Sequence, residues 1–162
     1  MLVRDAVPVD IPAMMAIAAG ADTAAHWTSE AYARIFESSL LHEPTRLALV
    51  VEDSAGGAGE AQIVGFIVAL CAEREWEIEN IVVMEAAQRR GLAMRLLDEF
   101  LNRAWAAGVE AVFLEVRETN LAARALYEKR GFLTSGRRPG YYCEPEEDAV
   151  LYRFRVAAGK KF

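Results

Sequence analysis

The stretch Gln88-Arg89-Arg90-Gly91-Leu92-Ala93 joins an apolar run typical of a strand to a long amphipathic segment typical of a helix. The first N–H groups of a helix have no partner within it and carry its partial positive charge, which favours a bound phosphate. Gly91 has no Cβ and Ala93 only a methyl, so an anion can approach the main chain closely. Arg89 and Arg90 add positive charge. The stretch predicts a pyrophosphate-binding turn, and an ordinary strand-to-helix connection with two solvated arginines is the alternative.

The segment after this turn has the clearest helical period in the chain. A helix is expected over residues 89–107, because its apolar side chains recur on one face. The residues of that face are Ala93, Leu96, Leu97, Phe100, Leu101, Ala104 and Trp105. Gly108 follows them and is expected to end the helix.

Shorter periodic segments on both sides predict alternating strands and helices. Strands are expected over residues 2–7, 46–53, 63–73, 75–83, 111–116, 132–142 and 149–156, with further helices from residue 10, over 29–40 and over 120–130. Asp10 is expected to cap the first helix and Thr28 or Ser29 the second, and residues 54–60 to form a flexible hairpin loop. This order indicates an α/β (α+β) protein with a mixed sheet covered by helices on both faces.

The composition predicts a soluble globular protein. The 162 residues, 54% hydrophobic and 26% charged, are expected to form a single domain over 1–162. The net charge of −6 disfavours nucleic-acid binding. No signal peptide and no apolar run near the ~20 residues of a membrane span are seen, so no membrane contact is expected. Cys71 and Cys143 lack metal-ligand spacing, so free thiols, no metal and a cytoplasmic location are expected.

Several short strings together resemble the GNAT superfamily of acetyltransferases. They are Asn80-Ile81-Val82-Val83, residues 88–93, Leu114-Glu115-Val116-Arg117 with Asn120, Ala125-Leu126-Tyr127-Glu128 and Gly131-Phe132. Within the superfamily the chain resembles the RimI-like branch, the ribosomal-protein N-terminal alanine acetyltransferases. Trp27-Thr28 and Tyr141-Tyr142 with Glu147-Asp148-Ala149 are also similar to that branch. The similarity covers most of the chain and is densest from about residue 77 to 152.

The resemblance implies a GNAT fold and acetyl-coenzyme A as cosubstrate. The fold would be a mixed, mostly antiparallel sheet of six or seven strands with a splayed central pair. The pyrophosphate would bind at the turn described above, and the pantetheine arm along the preceding strand. The implied contact residues are Ile81, Val82, Val83, Gln88, Arg89, Arg90, Gly91, Leu92, Ala93, Met94 and Asn120. Ala93 departs from the glycine that the family often has there, which adds one methyl against the phosphates.

The resemblance also implies two catalytic residues, Glu115 as general base and Tyr127 as general acid. Glu115 interrupts the apolar run 112–116, where an ionised carboxylate is unfavourable unless it is paired or faces a cavity. An ion pair with Arg117 on the same strand face is the alternative to a base in a cleft. For Tyr127, the alternative is a core tyrosine whose hydroxyl lies at the rim.

The expected activity is direct transfer of an acetyl group from acetyl-coenzyme A to an amine. The resemblance implies the N-terminal α-amine of a protein or peptide, with a ribosomal protein as partner. Trp27, Glu30, Tyr141 and Tyr142 are expected to line the acceptor cleft, and surface packing of the final hairpin is the alternative. A small amine, a lysine side chain or a catalytically silent coenzyme A-binding module are the other functions left open. Cys143 lacks a nearby histidine, which disfavours an acetyl-cysteine route.

Overall fold

The computed structural model of the protein describes residues 1–21, 24–25, 27–37, 45–54 and 61–156. The strands are β1 (Leu2–Asp5), β2 (Thr45–Asp53), β3 (Gln62–Ala72), β4 (Glu75–Val83), β5 (Ala111–Arg117), β6 (Leu133–Cys143) and β7 (Glu146–Arg155). The α-helices are α1 (Ile11–Ala19), α2 (Ser29–Ala33), α3 (Leu92–Ala106) and α4 (Leu121–Arg130). Most of the loop expected at 54–60 and the expected end of the second helix at 38–40 lie outside the described residues.

The strands form one mixed sheet in the order β1-β2-β3-β4-β5-β7-β6. Among the strands that the structure describes, only β4 and β5 pair in parallel, and every other neighbouring pair is antiparallel. A parallel pair needs a crossover connection, which α3 supplies here. The expected mixed, mostly antiparallel sheet is therefore confirmed.

The two parallel strands separate after a short stretch of pairing. Their register runs from Glu75 opposite Ala111 to Ile78 opposite Leu114 and ends there. The bulge that follows in β4 has Glu79 as its extra residue, because neighbouring residues of β3 pair with positions 78 and 80. A bulge bends its strand and increases the local twist. A gap consequently opens between residues 79–83 of β4 and 115–117 of β5, which is the splayed central pair.

Helices cover both faces of the sheet, as expected. Alternate residues of a strand point to opposite faces, and β2 divides its side chains in this way. Leu49 and Val51 belong to the apolar core beneath α3 and α4, whereas Val50 belongs to the core beneath α1 and α2. On α3 the expected apolar stripe is confirmed, since Leu97 and Phe100 are fully buried.

Two local expectations near the N-terminus turn out differently. The Asp10 carboxylate does not cap α1. Its oxygens instead accept hydrogen bonds from the Val7 N–H at 2.8 Å and from the Arg4 guanidinium at 2.7 and 3.1 Å. The second helix is shorter than expected, because α2 passes into a 3-10 turn at Arg34–Phe36 and Glu37 is extended.

Other local expectations hold. Thr28 caps α2 through its Oγ1, which accepts the Ala31 N–H at 3.3 Å. Both cysteines are free thiols. None of the helices in the described ranges has the length and apolar character needed to cross a bilayer.

Candidate active site

The start of α3 is open to solvent. Gly91 precedes the helix with a φ of 77°, a left-handed conformation that glycine adopts readily, and a Cβ placed on it would meet no atom within 4 Å. The Arg95 N–H donates to the Gly91 carbonyl at 3.1 Å and so makes the first bond of the helix. The N–H groups of Leu92, Ala93 and Met94 therefore have no acceptor within the helix. They form a cluster of donors at the positive end of the helix dipole, next to the exposed Gly91.

Side chains fix the turn before α3 to two strands. Gln88 donates through Nε2 to the carbonyl of Val83 at 3.1 Å, which attaches the turn to the end of β4. Arg90 forms an ion pair with Asp53 of β2 at 2.6 Å. The positive charge of Arg90 is thus shared with a carboxylate, while Arg89 and Arg95 are exposed arginines beside the helix start.

A cavity of about 310 Å³ lies where β4 and β5 separate. It brings together predicted site residues from four elements of the fold. Those residues are Ile81, Glu115, Asn120, Tyr127 and Tyr142. The separation of the two strands therefore creates a space that contains both expected catalytic side chains.

Glu115 lies on the wall of this cavity and is held by an arginine from another strand. Its side chain is 15% exposed, and its Oε1 lies 2.8 Å from Nη1 of Arg138 on β6. The expected alternative, a pair with Arg117, is wrong, because Arg117 instead pairs with Glu147 at 3.3 Å. The carboxylate is thus mostly withdrawn from water, with one cation beside it.

A second cavity, of about 260 Å³, adjoins Glu115 and is lined also by Glu77 and Arg138. Burial, and next the negative charge of Glu115, raise the pKa of the Glu77 carboxyl above its ordinary value. A hydrogen bond to Glu115, and next burial, raise the pKa of Tyr141. Glu115 therefore lies between two cavities, among neighbours whose protonation responds to its charge.

Tyr127 is buried in the α4 side of the site. It is 4% exposed, and its ring packs against Phe132 and Tyr152 at centroid distances of 5.7 and 6.1 Å. Burial raises the pKa of its hydroxyl well above the ordinary value of 10.0. The hydroxyl therefore stays protonated at neutral pH and can act as a proton donor.

Asn120 has a structural task at the start of α4. Its Oδ1 accepts the Ala123 N–H at 3.1 Å and so caps the helix that carries Tyr127. Because Asn120 also lines the cavity, one side chain both fixes the helix start and contributes to the wall.

The four expected acceptor residues are placed unequally. Tyr142 lines the larger cavity, and Tyr141 packs edge-to-face against it at a centroid distance of 5.1 Å. Trp27 packs on Tyr32 at 5.6 Å and, like the exposed Glu30, is not part of that cavity's wall. The structure therefore joins the tyrosine hairpin to Glu115 but does not bring Trp27 and Glu30 to it.

The sequence profile of the acetyltransferase (GNAT) family matches residues 12–132. The chain belongs to this family. The matched part of this GNAT protein contains the open start of α3, the gap between β4 and β5, Glu115 and Tyr127. The resemblance read from the sequence is thereby confirmed.

Relatives with known names are similar to this GNAT protein over part or all of its length. The [ribosomal protein bS18]-alanine N-acetyltransferase of Salmonella typhimurium is 34% identical over 98 residues, which cover 59% of this chain and 66% of that protein. The crystal structure of the ribosomal-protein-S18-alanine N-acetyltransferase from Escherichia coli superposes with a TM-score of 0.79 and 27% identity, covering 99% of this chain and 97% of that chain.

A more distant neighbour shares the fold of this GNAT protein. Arabidopsis thaliana NAA60, crystallised in complex with acetyl-CoA, superposes with a TM-score of 0.82 at 18% identity, covering 96% of this chain and 98% of that chain. In sequence, the chain spans 66% and 63% of the lengths of the bS18-alanine N-acetyltransferases from Salmonella typhimurium and Haemophilus influenzae.

Proposed function

We propose that this protein is an N-acetyltransferase that moves an acetyl group from acetyl-coenzyme A directly to an amine. The preferred acceptor is the N-terminal α-amine of a protein, of the ribosomal-protein alanine type. The single observation that carries the proposal is that Glu115 and Tyr127 line one cavity at the gap between β4 and β5. The names of the bS18-alanine N-acetyltransferases to which the chain is similar support the choice of acceptor.

The open start of α3 fits the diphosphate of acetyl-coenzyme A. The N–H groups of Leu92, Ala93 and Met94 would donate to the phosphate oxygens, with Gly91 leaving room for their approach. Arg89 adds charge beside them, while Gln88 and Arg90 keep the turn in place.

The free inner edge of β4 fits the extended pantetheine arm. Main-chain groups of Ile81, Val82 and Val83 lie beyond the last β4–β5 pair, and no strand within the described ranges occupies their β5 side. They can hydrogen-bond the amides of the arm, as a neighbouring strand would. A main-chain N–H there can also polarise the thioester oxygen. Acetyl-coenzyme A thus fits two neighbouring segments of the fold, the start of α3 for its diphosphate and the free edge of β4 for its pantetheine arm.

In the proposed reaction Glu115 accepts a proton from the amine. A free α-amine has an ordinary pKa of about 7.7–8.0, so part of it is charged at neutral pH and cannot attack. The neutral nitrogen forms a bond to the thioester carbon, the carbon–sulfur bond breaks, and Tyr127 donates its hydroxyl proton to the leaving sulfur. The nitrogen, which is cationic once it has attacked, gives up its second proton through water, and this proton restores the Tyr127 hydroxyl. Positioned acid and base groups of this kind contribute a factor of about 10²–10⁴ in rate.

The surroundings of Glu115 favour a cationic acceptor with a peptide behind it. Glu77 of β4 lies near the Glu115 carboxylate, and Tyr142 supplies a flat wall with a polar tip. Glu79 also lines the cavity, where it pairs with Arg46. A coenzyme A-binding module without activity would have no use for a carboxylate in the apolar strand β5. The proposal includes a cytoplasmic location, where the enzyme would encounter ribosomal proteins. It also includes a single catalytic domain over residues 1–162.

Thiol release from acetyl-coenzyme A, measured with a panel of acceptors, tests this function. The panel contains peptides beginning with alanine, the same peptides with a blocked N-terminus, peptides whose lysine is the one free amine, and polyamines. Mass spectrometry should find one added acetyl group on the free N-termini and none on the blocked peptides. Turnover with polyamines or lysine alone would replace the proposed acceptor. Tight acetyl-coenzyme A binding without turnover on any amine would identify a silent module.

A further inference from the structure

We infer that Arg117 is a positioning residue for the acceptor, which holds the Tyr142 wall of the cavity in a fixed place relative to Glu115. The inference rests on the proposed function, because it concerns the acceptor side of that same site. Arg117 follows Glu115 by two residues on β5, so both side chains leave the same face of the strand.

One side of the Arg117 guanidinium contacts the tyrosine. Its Cζ lies over the Tyr142 ring at 4.1 Å from the centroid, and both residues line the larger cavity. The Arg117 side chain is 17% exposed. A cation over an aromatic face is attracted by the ring quadrupole, and more strongly when water is excluded. The guanidinium therefore fixes the plane of the ring that forms the cavity wall.

The N–H groups of the same guanidinium bind the turn between β6 and β7. Nη2 donates to the Glu144 carbonyl at 3.1 Å, and Nη1 donates to the Pro145 carbonyl and to Glu147, both at 3.3 Å. A planar guanidinium can make these bonds while its face stays on a ring, whereas an ammonium cannot. Arg117 thus joins the end of β5 to the hairpin that carries Tyr142.

Glu147 removes the electrostatic penalty of placing a cation in this cavity. Its carboxylate accepts the Thr119 N–H at 2.5 Å, and this bond, with the contribution of Arg117, keeps the pKa of Glu147 below its ordinary value. The pair with Arg117 is therefore ionised at neutral pH and carries no net charge. An ammonium group that enters beside Glu115 meets a positioned ring rather than an uncompensated positive charge.

Arg137 provides a matched control on the same hairpin. It forms ion pairs with Glu118 and Asp148, so it also connects β6 to neighbouring segments. It is not part of the wall of the larger cavity. Replacing Arg117 or Arg137 by methionine removes in each case one arginine that connects the β6–β7 hairpin to a neighbouring segment, but only Arg117→Met frees the cavity tyrosine.

The experiment compares wild type, Arg117→Met, Arg117→Lys and Arg137→Met in steady-state acetylation, with peptide and acetyl-coenzyme A varied separately. Calorimetric binding of the peptide to the enzyme–coenzyme A complex and thermal unfolding accompany the kinetics. For Arg117→Met we expect the peptide KM and Kd to rise about five- to thirtyfold, the factor of a partly desolvated cation–π contact. The KM for acetyl-coenzyme A should be unchanged. Arg117→Lys should restore little of the wild-type peptide KM. Arg137→Met should keep the wild-type peptide KM even if its Tm changes.

A double-mutant cycle with Tyr142→Leu separates positioning from general stability. If Arg117 acts through the ring, Arg117→Met adds little to the peptide KM once Tyr142 is leucine. Fully additive effects, or equal peptide KM values for Arg117→Met and Arg137→Met, would overturn the inference while leaving the acetyltransferase proposal intact. Wild-type enzyme that neither binds nor acetylates the peptide would overturn both.

Discussion

The guanidinium of Arg138 lies 2.8 Å from the carboxylate of Glu115, so the proposed base already has a cationic partner before any amine arrives. Arg138 comes from β6, which is the edge strand of the sheet, and its side chain is 56% exposed. An exposed arginine can swing away at little energetic expense. The acceptor ammonium is therefore expected to compete with Arg138 for Glu115.

Replacing Arg138 by methionine should lower the KM for the acceptor amine. Exposed ion pairs contribute at most about 1 kcal/mol, which limits the expected decrease to about fivefold. Added salt weakens exposed pairs, so the difference between wild type and variant should shrink as ionic strength rises. Steady-state kinetics at two salt concentrations checks this. A KM that rises in Arg138→Met would mean that the arginine helps to bind the acceptor.

Replacing Glu115 by glutamine should lower turnover by a factor of about 10²–10⁴, because the amide cannot take up the amine proton. Acetyl-coenzyme A affinity should stay at the wild-type value, since the binding turn is a separate segment. Glu110→Gln is the matched control, because Glu110 immediately precedes β5, lines neither cavity and pairs with exposed Arg74. Thiol release and calorimetry measure the two quantities. Equal turnover in both variants would remove Glu115 from its proposed role.

Replacing Tyr127 by phenylalanine should lower turnover about a hundredfold or more by removing the proton donor. The ring contacts with Phe132 and Tyr152 remain, so the free energy of unfolding at pH 7 should change by no more than about 1 kcal/mol. A turnover close to that of wild type would assign the donor to another group or to water.

The raised pKa of Tyr127 also predicts a difference at alkaline pH. In the unfolded chain the hydroxyl ionises near 10, whereas burial keeps it protonated in the folded protein. Its contribution to stability is therefore complete below pH 10 and is lost as the pH rises from 10 towards the folded pKa. Chemical unfolding from pH 8 to 11 should show wild type losing stability relative to Tyr127→Phe above pH 10. Parallel curves would contradict the burial of the hydroxyl.

Replacing Gly91 by alanine should weaken acetyl-coenzyme A binding and destabilise the fold by about 1–2 kcal/mol, because the residue has a left-handed conformation. Gly108, after the other end of α3, is the matched control. Its φ is 73° and a Cβ there also meets no atom within 4 Å. Gly108→Ala should lose about as much stability as Gly91→Ala but keep the wild-type affinity for acetyl-coenzyme A. Equal affinity in both variants would place the pyrophosphate elsewhere.

The parts of the fold that depend on local pattern were predictable. The apolar stripe around Phe100 specifies α3 by its period alone, and Gly108 marks its end. Glu115 could be singled out because a carboxylate in an apolar strand needs an explanation wherever the strand lies. The turn before α3 could be recognised because glycine at its last position has a direct steric meaning.

The partners of these residues depend on strand register, which one sequence does not specify. Glu115 lies opposite Leu151 on β7, and the pairing of β6 with β7 is irregular between Arg138 and Tyr142. Arg138, which pairs with Glu115, stands at the start of this irregular stretch, so the choice of Arg138 over Arg117 could not be read from spacing. The Asp53–Arg90 pair joins residues 37 positions apart for the same reason.

The extra residue at Glu79 has a consequence for amide hydrogen exchange. Because β4 and β5 part beyond it, the peptide N–H groups that face the gap have no strand partner there among the described residues, although they lie in the middle of a sheet, and we expect them to exchange fast. Such positions normally exchange slowly, at rates set by opening of the whole structure. A ligand lying in the gap would convert them from fast- to slow-exchanging sites, so their exchange rates would report occupancy of the protein without any catalytic turnover.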